Sequence, residues 1–304
     1  MKRTFKYRVD EEFFGYTIER FLKEKYKYSS KLITALKKYD DGILKNDVRA
    51  FTSHTLNEND ILTINIYEDA SKNILPVKVD FKVEYEDEDV IVINKPYGVP
   101  THPSMNNYNN SVANGVMYYF MNKGQELAFH AVNRLDKDTT GLMIVAKNPY
   151  AHARLSQELH TSDFKRKYKC IVHGITKDEG IIDAPIRRKE ESAIERCVSP
   201  DGQRAVTKYK KIAEYNGFSE LEIELETGRT HQIRVHMSYI GHPLAGDFLY
   251  GDEERELVKR HLLHSFYIEF LHPVTDKKIK IEIESPRDFE IFKEKQQKNI
   301  EKTN

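Results

Sequence analysis

The sequence predicts an α+β protein with a mixed, mainly antiparallel central sheet, flanking helices and an active-site cleft, preceded by a small N-terminal α+β domain. Three observations carry this. Short apolar runs bounded by charge, such as Val90-Ile91-Val92-Ile93 and Leu142–Ala146, read as buried strands. Apolar residues at helical spacing, such as Ile233, Met237 and Ile240, read as one face of a helix. The two kinds of segment mix without the regular βαβ rhythm that a doubly wound parallel sheet requires.

Residues 1–68 read as a unit of their own. Thr17 is placed to cap a helix with Ile18, Phe21 and Leu22 on one face, and Ser29 to cap a second with Leu32, Ile33 and Leu36 inward. Lys31, Lys37 and Lys38 then point outward. Asp41-Gly42 turns the chain into short strands, the last alternating at Leu62, Ile64 and Ile66 after a turn at Asn57–Asp60. Residues 69–82 contain Pro76 and no helical period, so they are expected to be a linker. The main domain is expected over 83–292. In it, Asn148 caps a helix with Pro149 at its first position, where the missing N–H costs nothing. Leu221, Ile223 and Leu225 alternate with Glu222 and Glu224 as a half-exposed strand, and Gly241 stops the helix of Ile233. Residues 293–304 are rich in lysine and glutamine and show no core face, which predicts a flexible tail.

Composition narrows the function. Of 304 residues, 39% are hydrophobic, enough for a core, yet no run approaches the ~18–20 apolar residues of a membrane helix. No apolar run follows Met1 in the manner of a signal peptide, so a cytoplasmic protein is expected. Two cysteines are too few for a disulfide framework or a cysteine-rich zinc site. The formal net charge is zero, so any grip on nucleic acid rests on how charge is distributed. Acid gathers at Glu84–Asp89, base at Lys165–Lys169 and Arg187–Lys189.

Three segments have the mix of charge, glycine and apolar residues that chemistry needs. In Asn133-Arg134-Leu135-Asp136-Lys137-Asp138-Thr139-Thr140-Gly141, a carboxylate stands between two cations at the mouth of a buried strand, poised to stay ionised. Thr139, Thr140 and Gly141 are expected to form the loop that holds it. In Thr227-Gly228-Arg229-Thr230-His231-Gln232-Ile233-Arg234, a glycine turn opens a helix whose free amides suit an anion. Thr230, His231 and Arg234 are expected on one polar face of that helix. In Lys165-Arg166-Lys167-Tyr168-Lys169, basic groups interleave with an aromatic, a pattern for phosphates and a stacked base.

Together these segments resemble the RluA-type pseudouridine synthases over about residues 85–287. The shared motifs run Asn94-Lys95-Pro96-Tyr97-Gly98-Val99-Pro100, His102-Pro103, Arg134-Leu135-Asp136 to Gly141-Leu142 and Lys167-Tyr168. They continue with Thr227–His236, Gly241-His242-Pro243-Leu244, Gly246-Asp247, Leu263-His264 and His272-Pro273. Asn133 and Thr140 stand where the family often has His and Ser; both keep hydrogen-bonding groups. The first 68 residues resemble, more loosely, the small S-four-like RNA-binding domain named after a ribosomal protein.

The resemblance implies an isomerase that breaks the glycosidic bond of a uridine, turns the uracil and rejoins it through carbon. It implies Asp136 as essential carboxylate, Tyr168 stacked on the base and Arg234 paired with Asp136 by a forked contact. Arg134, Lys167, Arg229 and His231 become candidates for RNA at the cleft, and Lys31 and Lys37 in the N-terminal unit. Large-subunit ribosomal RNA is the expected substrate, then transfer RNA; no cofactor, metal or membrane is expected, and the protein is expected to act as a monomer. A glycoside hydrolase using Asp136 with Asp138 is the enzymatic alternative, disfavoured by the absence of tryptophan for a sugar groove. A metal site from His231 and His236 fails because the two diverge on a helix and oppose on a strand. The remaining alternative is a non-enzymatic RNA-binding or ribosome-assembly factor on the same fold.

Overall fold

A computed structural model describes residues 1–68, 71, 73–105, 107–251 and 258–303, the last six of these by their backbone. The chain opens with β1 (Lys2–Arg8), α1 (Ile18–Glu24) and α2 (Ser30–Leu36). β2 (Ile43–Lys45), β3 (Val48–Arg49) and β4 (Ile61–Tyr67) follow. Thr17 and Ser29 cap the helices as expected, accepting from the amides of Arg20 and Leu32, each at 3.2 Å. Asn46 and Asp47, both at positive φ, make the tight hairpin between β2 and β3. The sequence reading missed β1, which pairs antiparallel with β4 in a sheet of order β1-β4-β2-β3. Of its seven residues only Phe5 is buried, so an edge strand full of lysine and arginine hid its own periodicity.

This unit is docked on the body. Arg3 forks onto Asp89 with two contacts of 2.9 Å, and Tyr150 of the body is buried among Phe5, Leu22 and Tyr28. Of the expected linker, residues 69, 70 and 72 lie outside the described residues. The rest is pinned: Asn114 donates to the Leu75 carbonyl at 2.8 Å, and Val79 and Phe81 are half-buried.

The body continues with β5 (Lys82–Glu86), β6 (Val90–Lys95), α3 (Val112–Asn122), β7 (His130–Ala131) and β8 (Thr140–Ala146). Next come α4 (Pro149–Glu158), β9 (Lys165–His173), β10 (Glu179–Asp183), β11 (Ile186–Arg188) and β12 (Arg196–Val198). β13 (Val206–Tyr215), β14 (Phe218–Leu225), α5 (Gln232–Tyr239), β15 (Leu263–Leu271), β16 (Lys278–Glu282) and α6 (Arg287–Thr303) complete it. The main sheet runs β10-β13-β14-β9-β15-β8-β6-β5, with β16 on β15 and β7 on β8. The β15–β8 junction is parallel, and the other pairings of this sheet are antiparallel. Gly141 makes that junction possible: at φ +111 its Cα lies so close to β15 that a Cβ would stand 2.1 Å from the Ser265 carbonyl oxygen.

From Lys293 onward, where a flexible tail was expected, the backbone continues α6 to Thr303; Lys293 pairs with Glu220 at 2.9 Å, and Gln296 is buried beside Asn216. The docking face is polar, so it left no apolar stripe in the sequence. Asn304 lies outside the described residues. The second helical motif starts later than expected: α5 begins at Gln232, so Thr230 and His231 sit in the loop before it, with His231 left-handed at φ 57.

Candidate active site

The site forms where the parallel junction meets β9. Tyr168 on β9 is in register with Ser265 on β15, and Ser265 with Gly141 on β8, so three strands align one row of residues. Asp136 lies in the turn that leads into β8, closed by the Thr139 amide donating to the Asp136 carbonyl at 3.2 Å. Thr140 and Gly141, expected in the loop, already belong to the strand. Asp136, Tyr168, Arg134, Arg229, His231 and Arg234 line one cleft of about 460 Å³.

Both chain neighbours of Asp136 are held from the end of β6 and the segment that follows it. Thr101 donates its hydroxyl to the Leu135 carbonyl at 3.0 Å. The fully buried Lys95 donates to the carbonyls of Pro96, Val99 and Lys137 at 2.7–2.8 Å. Three carbonyls use all three ammonium protons and tie the two motifs together. Burial pushes the Lys95 ammonium down to about 7, against the pull of Asp138 and Asp136. Asn133 accepts from the Ile144 amide at 2.8 Å and Thr140 contacts His264 Nδ1 at 2.8 Å, so both family departures keep working hydrogen bonds.

Arg234 approaches Asp136, but its fork is committed elsewhere. Nε and Nη2 each reach the fully buried Asp247 at 2.7 Å, while Nη1 makes a single 3.3 Å contact with Asp136. The forked Asp136–Arg234 pair expected from the sequence is therefore an Asp247–Arg234 fork with Asp136 on the remaining nitrogen. Asp247 accounts for how a guanidinium only 6% exposed can sit beside an Asp136 side chain that is 24% exposed. Asp136 keeps lone pairs free toward the cleft.

His231 is the second neighbour, with Nε2 3.8 Å from Asp136. The Tyr250 hydroxyl accepts from the Arg196 amide at 2.8 Å and shares a hydrogen bond with His231 Nδ1 at 2.7 Å. Burial pushes the imidazole below its ordinary range, opposed by Asp136. Tyr168 is 4% exposed with its ring at the cleft wall, and burial raises its hydroxyl while Arg166 opposes this.

The cation candidates divide. Arg134 and Arg229 are exposed at the rim, Arg229 donating to the Arg204 carbonyl at 3.0 Å. Lys167 lies outside the cleft: its neighbour Tyr168 faces in, so Lys167 faces the opposite side of the sheet and pairs with Glu222 at 2.8 Å. Arg166 takes the inward position instead, as strand alternation from Tyr168 would have shown. The anion-binding amides expected at the start of α5 are partly used, because Gln232 Oε1 accepts from the Arg229 amide at 2.9 Å and from Thr227 at 2.8 Å. Lys31 and Lys37 are exposed on the N-terminal unit, away from the cleft lining. His236 is buried against Thr207 and the Ala184 carbonyl, apart from His231, as its spacing implied.

Comparison with known proteins fits this geometry. A family model described as RNA pseudouridylate synthase matches residues 89–239. The uncharacterized RNA pseudouridine synthase YjbO of Bacillus subtilis is 40% identical over 262 residues, 86% of this chain and 92% of that protein. The ribosomal large subunit pseudouridine synthase D of Zymomonas mobilis is 32% identical over 307 residues, 93% and 95% of the two chains. The human RNA pseudouridylate synthase domain containing 4 shares the fold, with TM-score 0.58 at 23% identity, covering 71% of this chain and 93% of that one. The chain belongs to the RluA-type RNA pseudouridine synthases, and it is an isomerase acting on RNA.

Proposed function

We propose that this isomerase uses Asp136 as its essential carboxylate, on uridines of structured RNA extruded into the cleft. Large-subunit ribosomal RNA is the first candidate and transfer RNA the second. The observation that carries the reading is the position of Asp136: a partly open carboxylate, pinned through both chain neighbours, between the Arg234–Asp247 pair and the wall formed by Tyr168. The relatives named as ribosomal large-subunit synthases support the choice of RNA. That substrate implies a protein working in the cytoplasm.

In the reaction the C1′–N1 bond of uridine breaks and a C1′–C5 bond forms. The hydrogen at C5 leaves to solvent and N1 gains a proton, so nothing is oxidised or reduced. Asp136 serves either by attacking the sugar or base or by removing a sugar proton; both need its ionised form aimed from a fixed place. Tyr168 replaces the stacking lost on extrusion, worth ~1–3 kcal/mol per base on an aromatic platform. Arg134, Arg229 and His231 receive the RNA around the mouth, and Lys31 and Lys37 hold structured RNA farther out.

Tritium release from [5-³H]uridine-labelled large-subunit RNA tests the reading. Stoichiometric release with pseudouridine in the product is expected; bound RNA with no release points to a binding factor. Exhaustive chelation is expected to leave the rate unchanged. Loss of turnover restored specifically by zinc contradicts the carboxylate mechanism.

A further inference from the structure

Arg166 and Tyr168 are two residues apart on β9, so their side chains leave the same face of the sheet and line the same cleft. Arg166 is only 7% exposed, yet its Nε has no hydrogen-bond partner and no ion pair reaches its guanidinium among the described residues. The contrast with the other buried arginines among the described residues is sharp. Arg234 forks onto Asp247, and Arg260 forks onto Asp288 at 2.6 and 3.1 Å. Buried arginines are ordinarily paired, because an unpaired charge pays its desolvation with no return.

The surroundings hold this cation in place without neutralising it. Its guanidinium carbon lies 5.8 Å from the Phe164 ring centroid. A Cβ on Gly228 would stand 3.0 Å from Nη1, so glycine lets the guanidinium lie against the loop before α5. An open position remains on the cleft side, and the ligand that enters this cleft is a polyanion.

We propose that Arg166 binds the phosphodiester of the extruded uridine, the phosphate seated on the guanidinium while the uracil stacks on Tyr168. This rests on the reading of the cleft as the uridine site. A planar fork matches two phosphate oxygens, and the pairing removes the cost of the buried cation only when RNA is bound. Arg166 is then the group that registers the target nucleotide above Asp136.

Full-length wild type, Arg166→Met and Arg166→Lys are compared for tritium release from [5-³H]uridine-labelled total RNA of a strain lacking the protein, across a salt series. Arg166→Met is expected to lose about 10- to 100-fold in kcat/KM, mostly through KM, and its log–log salt slope to fall by roughly 0.7–0.9, one phosphate contact. Arg166→Lys is expected to restore the slope. The thermal midpoint of free Arg166→Met is expected to equal or exceed that of wild type, since an unpaired buried charge has gone. An unchanged slope, or a clear loss of stability, overturns the proposal in favour of packing. A second arm follows the thermal midpoint with uridine 5′-monophosphate against uridine. Wild type is expected to gain more from the nucleotide and Arg166→Met to lose that difference; equal shifts in wild type overturn the anchor. Wild type that releases no tritium while preferring the nucleotide sinks the synthase reading alone.

Discussion

Arg234 stands between two carboxylates and spends its fork on the one with no access to solvent. Asp247→Asn therefore attacks the site indirectly. Removing one partner of a buried pair costs ~3–5 kcal/mol. Misplacing the Arg234 head beside Asp136 is expected to cost about 10²-fold in kcat. Denaturant titration and single-turnover rates measure the two losses; a stable Asp247→Asn enzyme at full rate contradicts the arrangement. Arg234→Lys is expected to recover little, because a point charge cannot serve Asp247 twice and Asp136 once. That Asp136, Tyr168 and Arg234 meet in one cleft was implied by the family resemblance of their motifs, not by the local pattern of any one of them. The Asp247 fork was not legible in the sequence, since Gly246-Asp247 gives no sign of which cation it meets. Lys167 became a candidate through the Lys167-Tyr168 motif, whereas the period of the strand, counted from Tyr168, puts Arg166 on the cleft side.

Among the elements, the parallel β8–β15 junction carries the site, and a neutral histidine helps to lock it. His264 contacts Thr140 through Nδ1 at 2.8 Å and the Glu284 carbonyl through Nε2 at 3.0 Å, a pattern satisfied by the uncharged ring. Burial, helped by Arg260, pushes this imidazole down to about 4. Between the ordinary histidine value near 6.5 and about 4, the unfolded chain binds a proton that the fold refuses. The contribution is whole above about 6.5 and is lost as pH falls toward 4, roughly 3 kcal/mol in all. Urea titrations at pH 7.5, 5.5 and 4.5 are expected to show this decline, and His264→Asn to flatten part of it; an equal slope in the variant contradicts the assignment. Caps and alternating strands were readable in advance, as at Thr17, Ser29, Asn148 and β14. The missed elements were those whose partners lie far along the chain: β1 meets β4, and the lysine-rich end of α6 meets Glu220 and Asn216.

At the scale of the molecule, fold class followed from the mixture of runs, but the order of the strands did not. Nothing local announces that β15 will insert between β8 and β9 and so bring Asp136 to Tyr168. The N-terminal unit is fixed to the body through Arg3 and Tyr150, so deleting it exposes core. Charge reversal tests its role more cleanly. Lys31→Glu with Lys37→Glu is expected to weaken binding to long structured RNA and lower its salt slope by roughly 1.4–1.8, while sparing turnover of a short uridine-containing fragment. Unchanged affinity for the long RNA makes the unit a cap and nothing more. The central claim is that one carboxylate does the chemistry, and Asp136→Asn isolates it by removing the charge and keeping the shape. The decisive measurement is pseudouridine formed by the folded Asp136→Asn protein on RNA that wild type modifies, with binding followed in parallel. Bound RNA with no detectable pseudouridine is the predicted result; pseudouridine at the wild-type rate contradicts the account.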